Sequence, residues 1–177
     1  MLPYDAHVTD REEISLARPE LDQYFLRDPQ KIGLLVQAAG IVSTDDVIEI
    51  GAGIGTVARH LPPSRSLTLV ELDARFTEIL KKNVPQARVI QGDALTVITR
   101  LHCDVLLSNL PSSITQKVIE KLPELSVRTV VMATGDDNSF ENVRNYSREL
   151  VVSIGGDDFQ PPQPVQSHII KLTRREN

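Results

Sequence analysis

The strongest constraint on this chain is a strand that runs straight into a glycine-rich turn. Val47-Ile48-Glu49-Ile50 has the β-branched, apolar character of a buried strand, and Gly51-Ala52-Gly53-Ile54-Gly55 follows without a break. Alternate glycines let the backbone turn sharply and approach a ligand closely, while a following helix presents its free N–H groups. Such a turn belongs to a strand-to-helix connection, and the chain repeats that connection. Before it, Asp28-Pro29 predicts a helix start, with Asp28 as N-cap and Pro29 in the first position. Ile32, Leu35, Val36 and Ala39 then share one face, and Gly40 ends the helix. After the turn, a short helix is expected to stop at Pro62-Pro63. Strands are expected at Leu67 to Val70, Val89 to Gln91, Asp104 to Leu107 and Val127 to Met132. Between them lie a helix capped by Asp73, with Phe76, Ile79 and Leu80 inward, and another marked by Ile114, Val118, Ile119 and Leu122 and ended by Pro123. Leu150 to Ile154 and His168 to Leu172 read as two last strands joined by a bend at Pro161, Pro162 and Pro164. Apolar strands alternating with helices give an α/β fold whose sheet is covered on both faces. The expectation is a seven-stranded, mostly parallel sheet ending in an antiparallel hairpin.

The 177 residues suit one domain over 1–177, with 1–27 as an N-terminal segment and Asp10-Arg11-Glu12-Glu13 its one strong charge cluster. There is no apolar run of spanning length and no basic-then-apolar leader, so a cytoplasmic protein is expected. Cys103 is the only cysteine, which excludes an internal disulfide and fits a reducing compartment. Four scattered histidines make no zinc pattern, and no metal is expected. The net charge of −5 bears on partners, because a chain that grips nucleic acid unaided neutralises phosphates with Lys and Arg. Lys81-Lys82, Arg144 with Arg148, and Lys171 with Arg174-Arg175 are its nearest approach to basic patches, and they read as solvated surface.

By itself the glycine turn serves any nucleotide, or none. Two acids narrow it. Glu71 ends the second strand, where a carboxylate accepts both hydroxyls of a ribose. Asp93, in Gln91-Gly92-Asp93-Ala94, ends the third, where an acid accepts from an adenine amine. Ligands of open α/β sheets bind at these strand ends, and three such features on successive strands form a cofactor site. A dinucleotide fingerprint would place its third glycine one position later, at Thr56, and a hydride-transfer enzyme usually brings a second domain. Both points favour S-adenosylmethionine over a nicotinamide cofactor. The fourth strand delivers Asn109-Leu110-Pro111 to the same edge. A carboxamide oxygen with a nearby backbone carbonyl accepts both protons of an amine and aims its lone pair, although the tripeptide also reads as a strand-ending turn.

Taken together and in order, these motifs resemble the ribosomal RNA adenine N6-dimethyltransferases of the kasugamycin-sensitivity and erythromycin-resistance types. Gln23-Tyr24-Phe25-Leu26-Arg27-Asp28 looks like the family's Gln-Asn/His-Phe-Leu motif, and Val47 to Gly55 like its Glu-Ile-Gly-x-Gly-x-Gly loop. Val70-Glu71-Leu72-Asp73 and Gly92-Asp93-Ala94 are similar to its ribose and adenine motifs, and Asn109-Leu110-Pro111 to its catalytic Asn-Leu-Pro-Tyr/Phe. Phe159 to Ser167 is similar to its late Phe-x-Pro-Pro-x-Val-x-Ser segment. The resemblance implies the class I S-adenosylmethionine-dependent methyltransferase fold. It implies that Gln23, Phe25, Leu26, Glu49, Gly51, Ala52, Gly53, Gly55, Glu71, Leu72, Asp93, Ala94 and Asn109 hold the cofactor. Asn109, Leu110 and Pro111 would present the acceptor. It also implies ribosomal RNA as partner, weakly held by this acidic chain alone, and no membrane. The sequence departs from the family pattern in four ways. Ser112 stands where the family has a stacking aromatic, no Gln-x-Glu-Val-Ala-like stretch follows the fifth strand, no C-terminal helical domain follows the last, and the charge is acidic. Another amine as acceptor, or a non-catalytic cofactor-binding module, are therefore the alternatives.

Overall fold

The computed structural model describes residues 16–135, 140 and 143–175. The Asp10-Arg11-Glu12-Glu13 cluster lies outside them, as do residues 136–139 and 141–142, where the family's Gln-x-Glu-Val-Ala-like stretch would fall. Seven strands form one sheet in the order β4-β3-β2-β5-β6-β9-β7. They are β2 (Asp46–Ile50), β3 (Ser66–Glu71), β4 (Arg88–Gln91), β5 (Val105–Asn109), β6 (Thr129–Thr134), β7 (Tyr146–Ile154) and β9 (Ser167–Arg174). β2 to β6 run parallel, and β9 is antiparallel to both β6 and β7. The α/β expectation with an antiparallel end therefore holds.

The central strands β2, β5 and β6 are buried on both sides, as a parallel sheet requires. Ile48, Ile50, Leu106, Val130 and Met132 point to one face, where α3 (Ala94–Ile98) and α4 (Ser112–Lys121) contribute Ile98, Val118 and Ile119. Val47, Val105, Leu107 and Val131 point to the other, against Ile32 and Leu35 of α1 (Pro29–Ala39). Leu80 of α2 (Ala74–Asn83) packs against Leu69. The helix starts follow the expected chemistry. Asp28 Oδ1 accepts from the Lys31 N–H at 2.9 Å, and Gly40 closes α1 in the left-handed conformation. Asp73 caps α2 and Asp93 caps α3.

One expectation is narrowed and one pairing is new. The helix after the glycine turn is a single 3-10 turn, Ala58–His60. Too few residues separate Gly55 from Pro62 for a longer helix to nucleate and propagate. Residues Phe25–Leu26 (β1) and Phe159–Gln160 (β8), to which the sequence pattern assigns no strand, pair antiparallel in a small second sheet. The pairing joins the two outermost motifs of the sequence, so the N-terminal segment is tied across the C-terminal edge of the main sheet.

Candidate functional site

The ends of β2, β3, β4 and β5, together with residues 21–25, enclose a cavity of about 430 Å³. The turn after β2 forms its floor. The Gly51 N–H donates to the Val70 carbonyl at 2.9 Å, which holds the turn against β3. Gly51 and Gly53 have φ of 68° and 57°, a region costly for other residues. A Cβ on Gly51 would lie 2.3 Å from Leu110 Cδ2, and one on Gly53 2.5 Å from Phe25 Cε1. Here the backbone itself faces the cavity.

Glu71 extends β3 under this turn and is 8% exposed. Its Oε2 accepts from the Gly53 N–H and its Oε1 from the Asp73 N–H, both at 2.8 Å. Burial pushes its carboxyl upward, against the pull of those donors. Glu49, on the neighbouring strand, is 4% exposed, and its Oε2 has no hydrogen-bond partner. Burial, with the Glu71 carboxylate beside it, pushes the Glu49 carboxyl up to about 8. Asp73 is the opposite case. Arg75 forks onto both of its oxygens and holds its carboxyl well below the usual range. Asp93 lines the cavity and also caps α3, accepting from the Thr96 N–H at 2.8 Å.

A strap made of the Pro19–Leu21 turn and the residues after it covers the cavity. Gln23 anchors it, donating to Asp73 Oδ2 at 3.2 Å and accepting from the Arg18 N–H at 3.1 Å and Arg75 Nη2 at 3.3 Å. Arg75 also donates to the Leu16 carbonyl at 3.2 Å. Beneath the strap, the Phe25 and Phe76 rings meet edge-to-face at 5.5 Å.

Asn109 ends β5. Its Nδ2 donates to the Tyr24 carbonyl at 3.1 Å, which fixes the amide and makes its oxygen the acceptor it presents. Asp22, Tyr24, Asn109, Leu110 and Pro111 also line a second cavity of about 340 Å³. That cavity runs over Ser112 and Ser113 toward Thr134, Gln163, Val165 and Ser167. Tyr24 is its one aromatic lining residue among the described residues.

The structure therefore brings together all the expected site residues except two. Leu26 is fully buried among Ile32, Leu35 and Phe159, because β1 turns alternate side chains to opposite sides. Gly55 faces Leu80 and Val84 and serves the packing of α2 against the turn. Sequence reasoning missed Asp22, Thr56 and Val57 as cavity walls. Asp22 carried a usable signal: it is an acid immediately before the Gln23 to Asp28 stretch. At the opposite end of the sheet, Asp46, His102 and Asp104 come together, with Arg65 paired to both acids.

The sheet order and the glycine turn over a strand-end acid define the class I S-adenosylmethionine-dependent methyltransferase fold. Solved structures agree. The fold resembles a dimethyladenosine transferase from Plasmodium falciparum (TM-score 0.75, 24% identity, covering 85% of this chain and 63% of that one). It also resembles the 23S rRNA methyltransferase ErmE (TM-score 0.76, 24% identity, covering 86% and 70%). Residues 14–137 match the family described as ribosomal RNA adenine dimethylase, and the chain belongs to that family. The ribosomal RNA small subunit methyltransferase A of Dehalococcoides mccartyi is 31% identical over 181 residues, which cover 88% of this chain and 62% of that protein. A ribosomal RNA small subunit methyltransferase of Arabidopsis thaliana is 29% identical, over 86% of this chain and 50% of its own length. The chain thus spans half to two-thirds of the length of these relatives. Among the described residues, no helix is long and apolar enough to cross a membrane.

Proposed function

We propose that this chain is an S-adenosylmethionine-dependent N-methyltransferase whose acceptor is an adenine amine of ribosomal RNA, with 1–177 acting as its catalytic domain. One observation carries the reading. Asn109 stands on the partition between the two cavities, its carboxamide held by the Tyr24 carbonyl. The first cavity fits the cofactor in its chemistry. It offers bare backbone at Gly51 and Gly53, a buried strand-end acid in Glu71, and in Glu49 a buried oxygen that still lacks a partner. Glu71 would hold the ribose hydroxyls and Asp93 the adenine amine. The bound cofactor would supply a methyl group on a sulfonium, for which in-line orientation is the main catalytic need.

The chain's own part is to orient. Asn109 Oδ1 and a neighbouring carbonyl accept from the two amine hydrogens, so the nitrogen lone pair points across the partition. The net charge of −5 leaves RNA affinity to a partner or to the assembling ribosome. A ribosomal substrate is consistent with the reducing, cytoplasmic setting to which the lone Cys103 points. The second reading, transfer to another amine, is favoured by Ser112 in place of an aromatic.

The test pairs binding with transfer, using labelled cofactor on ribosomal subunits, naked ribosomal RNA and a metabolite extract. Asn109→Ala should abolish transfer and leave cofactor affinity nearly unchanged, because its carboxamide acts on the acceptor. Glu71→Ala should weaken cofactor binding about tenfold or more, since a hydrogen bond to a charged acceptor contributes about 1.5–3 kcal/mol. Normal turnover by Asn109→Ala would put the amine clamp elsewhere. Unchanged affinity in both Glu71→Ala and Asp93→Ala would remove the cofactor assignment.

A further inference from the structure

The cofactor cavity has an unusual charge balance. Five acids line it, Asp22, Glu49, Glu71, Asp73 and Asp93, and no Lys, Arg or His does among the described residues. Most of these acids are already engaged. Both Glu71 oxygens accept backbone N–H groups, Asp73 is paired with Arg75, and Asp93 caps α3. Asp22 belongs to the strap and is exposed. Glu49 differs from all of them. It lies on β2 at the back of the cavity, 4% exposed, with Oε2 unpartnered. A buried carboxylate with no donor is costly, and a second carboxyl, Glu71, reaches it from β3. Two states relieve the cost: a proton on Glu49, or a positive charge beside it.

We propose that Glu49 is a proton-exchanging counter-charge: it holds a proton in the ligand-free protein and surrenders it when a cationic group of the ligand enters. Loading the cavity is then coupled to proton release, and the cavity selects ligands that carry a fixed positive charge. In the exchange the Glu49 O–H bond breaks, the electron pair stays on the carboxylate and the proton passes to solvent. The inference rests on the cofactor reading above and concerns how that ligand is admitted. The direction of the Glu49 shift agrees with it, since burial favours the protonated acid. The ammonium and the sulfonium of S-adenosylmethionine are the two sources of such a charge.

Titration calorimetry in buffers of different ionisation heat counts the protons. At pH 6.5, wild type binding S-adenosylmethionine should release about one proton per ligand, and Glu49→Gln should release none. Wild-type affinity should rise about tenfold per pH unit from pH 5.5 to 7, while the variant stays flat. 5′-Methylthioadenosine, which lacks both cations, should bind with no proton release. S-adenosylhomocysteine keeps only the ammonium, so release with it assigns the charge to the ammonium, and its absence assigns it to the sulfonium. Binding of S-adenosylmethionine to wild type with no proton released would overturn the proposal, as would equal release from Glu49→Gln. The wild-type comparison of S-adenosylmethionine with 5′-methylthioadenosine stands even if the variant misfolds. Failure of every adenosyl ligand to bind would instead remove the cofactor reading, and this inference with it.

Discussion

Ser112 opens α4 and faces the second cavity, with its Oγ 3.5 Å from where a Cβ on Gly135 would stand. A hydroxymethyl group there leaves one side of an extruded base uncovered. Extrusion costs a few kcal/mol of unstacking, and an aromatic partner returns about 1–3 kcal/mol per base. Of the candidates for that partner, Phe25 is committed to Phe76 beneath the strap, so Tyr24 is the aromatic at hand. Ser112→Tyr should raise transfer to an adenine-containing RNA several-fold, measured at one fixed low salt concentration because phosphate contacts are salt-sensitive. A fall on RNA with a matching loss on a different acceptor would favour the other-amine reading. Residues such as Glu71, Asp93 and Asn109 were legible in the sequence because each is a polar group at the end of an apolar run. The unpartnered state of Glu49 was not legible. It depends on burial and on Glu71 of the next strand, and neither is a local property.

At the scale of elements, the strap is the part that spacing could not foresee. It has no periodicity, and the groups that fasten it, Asp73 and Arg75, lie far along the chain at the start of α2. The glycine turn and the helix starts were legible because caps and turns are written in consecutive residues. The β1–β8 pair was not, being two-residue strands from opposite ends of the chain. The strap is held by hydrogen bonds from Arg75 to the Leu16 carbonyl and to Gln23, and from Gln23 to Asp73. Arg75 is partly exposed, so solvent screens its pair with Asp73 and the pair adds little to overall stability. Its leverage is on the cavity beneath. Arg75→Ala should leave the melting temperature within a few degrees of wild type and speed cofactor dissociation several-fold, as read by stopped-flow displacement. An unchanged dissociation rate would show that the Gln23–Asp73 hydrogen bond and the Phe25–Phe76 contact fasten the strap without Arg75.

For the whole molecule, the acid in the cavity sets a pH dependence. Glu49 titrates at about 8 in the folded chain against 4.5 as an ordinary carboxyl. Between those values the folded state binds more protons than the unfolded one. The stability this site contributes is therefore fully present below 4.5 and is lost as pH rises through about 8. Thermal melts of the ligand-free protein should fall by several degrees from pH 5 to pH 8.5 relative to Glu49→Gln. Parallel curves for the two proteins would contradict the assigned ionisation. The order of the sheet has a consequence of another kind. β9 lies between β6 and β7, although it follows both in the sequence. During synthesis β7 leaves the ribosome before the strand it must pair with has been made. The edge of β6, whose six residues are all buried in the finished fold, stays open for the same interval. Until residues 167–174 arrive, the nascent chain carries an unsealed hydrophobic edge, the kind of surface that holdase chaperones cover and that pairs with a neighbouring chain when left bare.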